Sequence, residues 1–502
     1  MFNKKIRKLM RDPKLFFSDM AIKRRNSIDA LKPKENNGHY QYTIVSAVYN
    51  VGRYLDEYIT SVTKQRLDFK KHIQLILVDD GSTDDSAAII KKWQKKYPNN
   101  IHYFYKENGG QASARNLGMQ YVNTEWVTFT DPDDILDQDY FYQIDSFAHK
   151  QKNSNMVMLC NNLIFYFDSE HLYKDTHPLK FRFIKGDTVN SVNDLGKNMQ
   201  LSASTAVFQS NVIKNQQISF DSKVKPSFED AHFVACYLAG FNDGNVGFVS
   251  KAKYFYRKRS DGSSTLDGAW EKKGLYDDVL VHGCIDTFNQ YIDKKGYVPK
   301  HTQRTVLYHL IWYFKRLVNN KQTLTFLSEE ELNKFKSLVI ELFKHIDSET
   351  IMEFELAGCW FYHKVALLGM FKKADPAFQI VYIEAFDKIK GMVQLRYFTR
   401  DVGLETFNVG GVDVIPCFAK SIEHEFIGDS FVIERRVWIP ISLEQQVSNT
   451  TLKVTIGNMM ARLSLAGKQH NNGVSYHQIA SHFESKKPKY NIDKKYQKSW
   501  LL

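Results

Sequence analysis

An apolar run that ends in two carboxylates and a glycine occupies residues 73–82, which read Ile73-Gln74-Leu75-Ile76-Leu77-Val78-Asp79-Asp80-Gly81-Ser82. Such a run predicts a strand buried on both faces of a parallel sheet, because a strand with one face in water would alternate apolar and polar residues. Gly81 permits the tight turn that must follow. The two carboxylates therefore lie at the carboxyl edge of the predicted sheet, where α/β proteins bind their ligands.

Further strands and helices alternate on both sides of this run. The predicted strands are Thr43–Val48, Ile101–Tyr105 and Trp126–Thr130, and the predicted helices are Tyr54–Lys64, Asp84–Tyr97 and Gly110–Val122. This alternation is typical of an α/β fold in which helices cover both faces of a mostly parallel sheet. Later in the chain, apolar residues recur at helical intervals, Ser328 and Glu331 form a capping-box signature, and short β-like runs follow.

These changes of pattern divide the chain into five segments. They are a basic amphipathic segment with a linker at residues 1–40, an α/β domain at 41–265, a helical domain at 266–391, a β-rich module at 392–484 and a basic linker or tail at 485–502. A hydrophobic content of 43% in 502 residues is enough for a large core. The five cysteines lie far apart, which predicts reduced side chains rather than a disulfide framework.

The net charge of +12 is concentrated at the two ends of the chain, where it favours anionic partners. Zinc-finger, basic-zipper and RNA-binding signatures are missing, so we exclude nucleic acid as a partner. Phe2, Ile6 and Leu9 recur among basic residues at helical spacing, which suits a helix at an anionic membrane surface. The alternative is a helix packed on the protein itself. The first residues do not form a signal peptide, and we expect a cytoplasmic location.

Polar residues follow the predicted strands at the places where ligands of α/β sheets bind. Val48-Tyr49-Asn50 ends the first strand, and Asp79 and Asp80 end the next long one. A carboxylate there can accept a hydrogen bond from a base or a ribose hydroxyl, although it can also serve only the turn and the helix cap. In the loop before the next helix, exposed N–H groups at Gly110 and the charge of Arg115 favour an anionic ligand. An ordinary strand-to-helix turn is the alternative.

An acidic tetrapeptide, Asp131-Pro132-Asp133-Asp134, follows the fourth predicted strand. Carboxylates so close together repel one another, and this cost is offset when a divalent cation binds between them. Mg²⁺ and Mn²⁺ take carboxylate oxygens together with substrate phosphates. The alternative is a solvated acidic turn.

Two later clusters complete the set. Glu229 and Asp230 lie between aromatic residues, where apolar surroundings would raise the proton affinity of a carboxylate, as a general base requires. A helix start is the competing interpretation. Cationic and hydroxyl side chains then alternate in one segment, which suits the binding of a diphosphate. The alternative is an exposed charged face. The residues concerned are Arg257, Arg259, Ser263 and Ser264.

In this order and at this spacing, the clusters between Tyr42 and Thr265 resemble the family 2 glycosyltransferases of the GT-A fold, a Rossmann-like architecture. The resemblance implies that Asp79 and Asp80 contact the nucleotide of a UDP-sugar donor, with Tyr49 near its base. It implies that Asp131 and Asp133 form the DxD motif, which binds Mn²⁺ or Mg²⁺ together with the sugar diphosphate. It also implies a catalytic pair, Glu229 and Asp230, of which we take Asp230 as the base.

An enzyme of this kind transfers a hexosyl or N-acetylhexosaminyl group with inversion and forms a β-linkage. The segments Arg11–Phe17 and Glu434–Pro440 resemble parts of bacterial capsule and teichoic-acid-like polymer polymerases. That resemblance implies a polysaccharide or polyol-phosphate acceptor and a peripheral position at the inner face of the bacterial cytoplasmic membrane. It further implies a second catalytic domain beyond residue 502. For the helical and β-rich modules we expect self-association, the holding of a growing polymer or both.

Two other functions compete with this interpretation. A non-catalytic, polysaccharide-binding scaffold with the same fold should have lost its acidic motifs, yet the carboxylates at 131, 133, 229 and 230 are all present. A nucleotidyltransferase would carry a glycine-rich basic loop after the first strand, where this chain has Tyr49-Asn50-Val51-Gly52-Arg53. The transferase is therefore the favoured prediction.

Overall fold

The computed structural model of the chain describes residues 38–259 and 268–484, with isolated positions before them. The predicted membrane helix, Ser263, Ser264 and the basic tail lie outside the described residues. The chain divides into two units. The first comprises Met1–His309 and Phe326–Ile346, and the second comprises Leu310–Thr325 and Asp347–Leu502.

A mixed sheet of ten strands organises the first unit, in the order β3-β2-β1-β4-β9-β6-β10-β5, with β7 beside β6 and β8 beside β10. Its strands are β1 (Tyr42–Val48), β2 (Ile73–Asp80), β3 (Ile101–Lys106), β4 (Trp126–Phe129), β5 (Ile135–Leu136), β6 (Met156–Phe167), β7 (Leu172–Lys174), β8 (Thr188–Ser191), β9 (Ala206–Gln209) and β10 (Asn245–Lys258). The α/β class is confirmed. Strands β1 to β4 pair in parallel, but β9 runs antiparallel to both β4 and β6, so the sheet is mixed rather than mostly parallel.

Helices cover both faces of this sheet. The helices that begin in the first unit are α1 (Gly52–Thr63), α2 (Phe69–His72), α3 (Ser86–Lys96), α4 (Gln111–Met119), α5 (Tyr140–Lys150), α6 (Ser210–Asn215), α7 (Glu229–Ala239), α8 (Asp286–Lys295), α9 (Lys300–Leu317) and α10 (Glu329–Lys344). Neighbouring β1 residues Ile44 and Val45 belong to different buried clusters, one on each side of the sheet. Burial on both faces is the physical reason for the continuous apolar runs of β1 and β2.

The strand register sets the place of the functional residues. Val48 at the end of β1 lies opposite Asp79, and Asp80 at the end of β2 lies opposite Lys106 at the end of β3. The polar residues that follow the parallel strands therefore meet at one edge of the sheet, as the sequence predicts. The capping box at the start of α10 is also confirmed: the Ser328 hydroxyl accepts from the Glu331 N–H, and the Glu331 carboxylate accepts from the Ser328 N–H.

Two further sheets make up most of the second unit, with strand orders β15-β16-β12-β11-β19-β20 and β14-β13-β17-β18, and β21 beside β17. The unit contains the end of α9, then α11 (Ser348–Glu353), α12 (Phe361–Leu367), β11 (Ile380–Asp387), β12 (Met392–Thr399), β13 (Glu405–Val409), β14 (Val412–Val414), β15 (Phe418–Phe426), β16 (Asp429–Pro440), α13 (Leu443–Val447), β17 (Thr451–Ile456), β18 (Met459–Met460), β19 (Arg462–Leu465), β20 (Lys468–His470), β21 (Val474–Ser475) and α14 (Tyr476–Glu484). The strands begin at Ile380, whereas the predicted module boundary was residue 392.

None of the described helices combines the length and the hydrophobicity required to cross a bilayer. The cysteines are free thiols, as the sequence predicts: Cys160, Cys284 and Cys359 are buried, Cys236 is half-buried and Cys417 is exposed.

Candidate active site

A buried arginine joins two acidic motifs that lie far apart in the chain. Arg115 on α4 is 1% exposed, and its Nη2 donates to Asp131 Oδ1 at 2.8 Å while its Nη1 donates to Asp230 Oδ1 at 2.5 Å. The guanidinium also lies over the ring of Phe220, with 5.0 Å between Cζ and the ring centroid. Asp131 and Asp230 therefore face one another across a single cation.

Asp230 sits in the first turn of α7, and both of its carboxylate oxygens are engaged. Its Oδ2 accepts from the backbone N–H of Ala203 at 2.9 Å and from the Ser202 hydroxyl at 3.4 Å. The residue before the helix, Phe228, has a φ of 77°, a left-handed conformation that costs energy for a bulky side chain. This turn directs the start of α7, with its Glu229-Asp230 pair, toward Arg115.

Two carboxylates of this group bind protons more tightly than usual. Burial raises the pKa of Asp131 to about 6; Arg115 opposes that rise, and the charges of Asp133 and Asp230 add to it. Burial raises the pKa of Glu229 to about 7, and the charge of Asp230 contributes. Crowded carboxylates with raised pKa values form a site that would be stabilised by additional positive charge.

The acidic loop after β4 is fastened to the end of β10 by two arginines. Arg259 donates from Nη2 to Asp133 Oδ2 at 2.6 Å. Arg257 is nearly buried and donates from Nε to the Asp133 carbonyl at 2.5 Å and from Nη2 to Glu57 Oε2 at 2.6 Å. Both guanidinium groups lie about 5 Å from the ring of Tyr54. The two predicted diphosphate ligands thus lie at the DxD loop, and Arg259 contacts its second aspartate directly.

Asp134 holds the same loop from inside the protein. It is buried, its Oδ1 accepts from the Arg257 N–H at 2.7 Å, and its Oδ2 accepts from the Tyr254 hydroxyl at 2.6 Å. The Tyr254 oxygen in turn accepts from the Asp131 N–H at 3.1 Å. Burial, with the charges of Asp133 and Asp131, raises the pKa of the Asp134 carboxyl well above its ordinary value. Asp134 and Tyr254 therefore position Asp131 and Asp133 from behind.

The two carboxylates at the end of β2 are buried, and both accept hydrogen bonds from neighbouring residues of the protein. Asp79 accepts from the Ser82 N–H at 2.8 Å and from the Tyr103 hydroxyl at 2.9 Å. Asp80 accepts from Lys106 Nζ at 2.6 Å, and its other oxygen accepts from the Gly110 N–H at 2.7 Å. Asp80 thus fixes the glycine loop before α4, where Gly110 has a φ of 89°. Their contact with a nucleotide stays a prediction.

The residues after β1 line the same edge of the sheet. Val48 is buried, Tyr49 is 52% exposed, and Asn50 has a φ of 51°. The Asn50 amide oxygen accepts from the Thr83 N–H at 2.8 Å. An exposed tyrosine on a loop fixed in this way is available to stack on a flat ligand such as a base.

The donor set of the acidic loop fits a divalent cation. Asp131 Oδ1 is bound by Arg115 and by Gln111, and Asp133 Oδ2 is bound by Arg259, so one oxygen of each carboxylate is turned to a neighbouring side chain. The second oxygens are the hard donors that Mg²⁺ and Mn²⁺ prefer, and such ions complete their coordination with waters and substrate phosphates. The buried Pro132 between them keeps the loop short and rigid.

A second group of potential ligands lies between α7 and α8. His232, Cys236 and Asp286 have side-chain atoms within 4.8 Å of one another. The His232 Nε2 is 2.7 Å from Asp286 Oδ2, and this hydrogen bond raises the pKa of His232 to about 10 although burial opposes the rise. We interpret this group as an ion pair that anchors α7 to α8.

Two further polar residues lie close to the acidic groups. Ser204 is buried and its hydroxyl is 2.7 Å from that of Ser202, which also contacts Asp230, whereas Asn108 is exposed on the glycine loop. The counter-ion role of Arg115 and the supports Tyr254 and Tyr103 were missed by sequence reasoning. No sequence signal identifies them, because each contacts a carboxylate that lies far from it in the chain.

The model of the family described as Glycosyl transferase family 2 matches residues 43–213. The minor teichoic acid biosynthesis protein GgaA of Bacillus subtilis is 30% identical over 348 residues, which cover 67% of this chain and 73% of GgaA. The chain belongs to glycosyl transferase family 2. This glycosyltransferase is also 31% identical over 337 residues to GgaB of the same organism. The aligned residues cover 66% of this chain but only 35% of GgaB.

A solved structure supports the fold of this glycosyltransferase. The crystal structure of TarS from S. aureus matches with a TM-score of 0.50 at 15% identity, covering 84% of this chain and 77% of that chain. At this identity the match shows the fold alone. The GT-A architecture implied by the sequence motifs is therefore confirmed, together with the relation to teichoic-acid glycosyltransferases.

Proposed function

We propose that this glycosyltransferase moves a sugar from a UDP-sugar to a hydroxyl of a teichoic-acid-like polymer and inverts the configuration at the anomeric carbon. One observation carries the proposal: Arg115 contacts both Asp131, of the proposed donor site, and Asp230, the proposed base. The two groups that the reaction requires on opposite sides of the reacting carbon are thereby held in one cleft.

Asp230 is the proposed general base. Its Oδ2 is oriented by the Ala203 N–H, and its Oδ1 is oriented by Arg115, so the carboxylate is held in a fixed orientation. It accepts the proton of the acceptor hydroxyl as that oxygen attacks the anomeric carbon from the face opposite the diphosphate. The new bond forms as the bond to the diphosphate breaks, and an α-linked donor gives a β-linked product.

Asp131 and Asp133 are the residues that would hold Mn²⁺ or Mg²⁺, and the bound ion would supply Lewis-acid charge to the departing diphosphate. The chain itself contributes Arg259, which is bound to Asp133 and can present positive charge beside the leaving group. Asp134 and Tyr254 keep the DxD loop in place during the reaction. Tyr49, Asp79 and Asp80 remain the proposed residues of the nucleotide subsite.

The relatives support the choice of acceptor. GgaA and GgaB are named for minor teichoic acid biosynthesis. A Staphylococcus aureus protein, 21% identical over 223 residues, is named poly(ribitol-phosphate) beta-N-acetylglucosaminyltransferase TarS. These names favour a polyol-phosphate acceptor and an N-acetylhexosaminyl donor. The proposal includes a peripheral position at the inner membrane face through the basic N-terminal segment, together with self-association.

The test is transfer of labelled sugar from a panel of UDP-sugars to poly(ribitol phosphate) with Mn²⁺ present. Asp230→Asn should lower kcat by about 10² to 10⁴-fold, the usual contribution of a general base, and should leave donor binding within about twofold of wild type. Glu229→Gln changes the other carboxylate of the pair and should lower kcat less than Asp230→Asn does, because Asp230 is the proposed base. If Glu229→Gln abolishes transfer and Asp230→Asn does not, the base has been assigned to the wrong carboxylate.

A further inference from the structure

A cavity of about 580 Å³ lies within the second unit, far along the chain from the acidic motifs. We call this cavity the aromatic pocket, and its lining includes Lys315, Trp360, Tyr362, Arg396, Phe398 and Glu434. All of them belong to Leu310–Thr325 or Asp347–Leu502, so a single unit builds the pocket. Its volume is that of a typical small-ligand site.

The floor of the pocket is one face of the six-stranded sheet. Arg396 on β12 lies opposite Tyr382 on β11, and Phe398 on β12 lies opposite Glu434 on β16. Arg396 and Phe398 are two positions apart on one strand, so their side chains point to the same face. The start of α12 supplies the rim with Trp360. A pocket whose floor is made from strands is rigid and preformed.

The aromatic groups are arranged to receive an apolar surface. Trp360 is 72% exposed, which is unusual for the largest apolar side chain. The rings of Tyr362 and Phe398, which also line the pocket, have centroids 5.5 Å apart. The Arg396 guanidinium lies 5.0 Å from the ring of Tyr382. Sugar rings carry apolar C–H faces, and flat, exposed aromatic side chains present a complementary surface to them.

The polar groups of the pocket are held in fixed directions. Glu434 accepts from Arg436 Nε at 2.6 Å, and its other carboxylate oxygen is 3.3 Å from His424 Nε2. Arg396 donates to Glu384. A few oriented acceptors and donors among aromatic walls are typical of pockets that recognise hydroxyl groups.

The lining of the pocket also includes a cation, Lys315, which indicates the charge of the ligand. Lys315 donates to the Ala357 carbonyl at 2.8 Å and lies 4.5 Å from the ring of Trp312, and among the described residues it has no carboxylate partner. An ammonium group that is bound only by a carbonyl and a ring retains its attraction for an anion. A phosphate that follows a stacked sugar would meet this charge.

We propose that the aromatic pocket binds one sugar-bearing repeat of a polyol-phosphate polymer, with the sugar against Trp360 and the adjacent phosphate at Lys315. This inference rests on the proposed function for the identity of the polymer. The pocket would hold the acceptor or product chain at a place separate from the residues that perform the transfer, so that the polymer stays bound between successive transfers.

Binding of the full chain to purified poly(ribitol phosphate) with and without N-acetylglucosamine substituents tests the proposal by calorimetry in the absence of any donor. Wild type should bind the glycosylated polymer, and Trp360→Ala should weaken binding about tenfold or more, as expected for loss of a central aromatic anchor. Phe418→Ala is the matched control, because Phe418 is 63% exposed in the same unit and does not line the pocket. It should bind as wild type does.

Lys315→Ala should weaken binding of the phosphate polymer and reduce its salt dependence, while binding of a neutral oligosaccharide stays unchanged. Trp360→Ala should also keep the wild-type rate with a short acceptor. The proposal is overturned if Trp360→Ala binds the polymer as tightly as wild type, or if wild type binds a mononucleotide in the pocket instead. Because these measurements need no transfer, they can succeed or fail independently of the Asp230 experiment.

Discussion

Replacing Arg115 by methionine should both destabilise the first unit and slow transfer. Methionine keeps most of the buried stem and removes the charge between Asp131 and Asp230. The Arg115 side chain is 1% exposed, whereas the side chains of Asp131 and Asp230 are 28% and 22% exposed. The substitution therefore leaves two partly buried carboxylates facing each other without their shared cation.

The magnitude follows from the geometry. Removing one partner of a buried ion pair costs about 3–5 kcal/mol, because the remaining charge stays buried without compensation. Both carboxylates keep some contact with water, so we expect the lower end, about 3 kcal/mol in the free energy of unfolding. The rate should fall about 10²-fold, since Asp230 loses one of the groups that orient it.

Urea denaturation, followed by a probe in the first unit, measures the stability, and labelled-sugar transfer measures the rate. Arg115→Lys is the control: it keeps the charge but cannot donate to both carboxylates in the same planar geometry, so an intermediate loss is expected. The double variant Arg115→Met/Asp131→Asn should recover part of the stability, because it removes the repulsion. An Arg115→Met protein within about 1 kcal/mol and tenfold of wild type would refute the reasoning.

Two further predictions concern the supports of the site. Hydrogen bonding between the two side chains raises the pKa of His232 to about 10 from an ordinary 6.5 and lowers that of Asp286 from 3.8. Their stabilisation is therefore complete between about pH 4 and pH 6.5, declines as the pH rises further and is lost by about pH 10. Asp286→Asn should therefore cost about 1.5 kcal/mol of unfolding free energy at pH 7.5 and nothing above pH 10, a difference that chemical denaturation across pH would detect. Asp80→Ala should free the Gly110 loop and raise the donor KM about tenfold in steady-state assays, whereas Glu107→Ala, exposed on the same loop, should leave KM unchanged.

The parallel part of the sheet could be predicted from the sequence because its strands are buried on both faces. The run at residues 73–80 does not alternate apolar and polar residues as a half-exposed strand would, so it predicts a strand buried on both faces. The observed strand spans Ile73–Asp80. The later strands β6, β9 and β10 could not be predicted in the same way. Their pairing joins Met158 to Phe208 and Cys160 to Phe248, and local periodicity contains no information about such distant partners.

The same limit applies to the site. Its acidic residues can be recognised from the sequence because carboxylates crowded at strand ends are costly unless something binds them. The groups that bind them could not be recognised in that role. Arg115 near the start of a helix predicts an anionic ligand rather than a partner for two carboxylates, and Tyr254 resembles any buried tyrosine. Only the fold shows that these side chains face Asp131.

The pairing of acids with arginines also restricts how a donor can bind. Arg115 binds one oxygen of Asp131, and Arg259 binds one oxygen of Asp133, so each aspartate of the DxD loop shares its charge between an arginine and whatever occupies the cleft. A cation that binds both aspartates would weaken their ion pairs with the arginines, because the same negative charge would then be shared among more cations. Arg259 would become available to the diphosphate at that moment, whereas Arg115, which is also bound to Asp230, would stay in place. We therefore expect donor binding to redirect Arg259 and to leave the base and its buried counter-ion undisturbed.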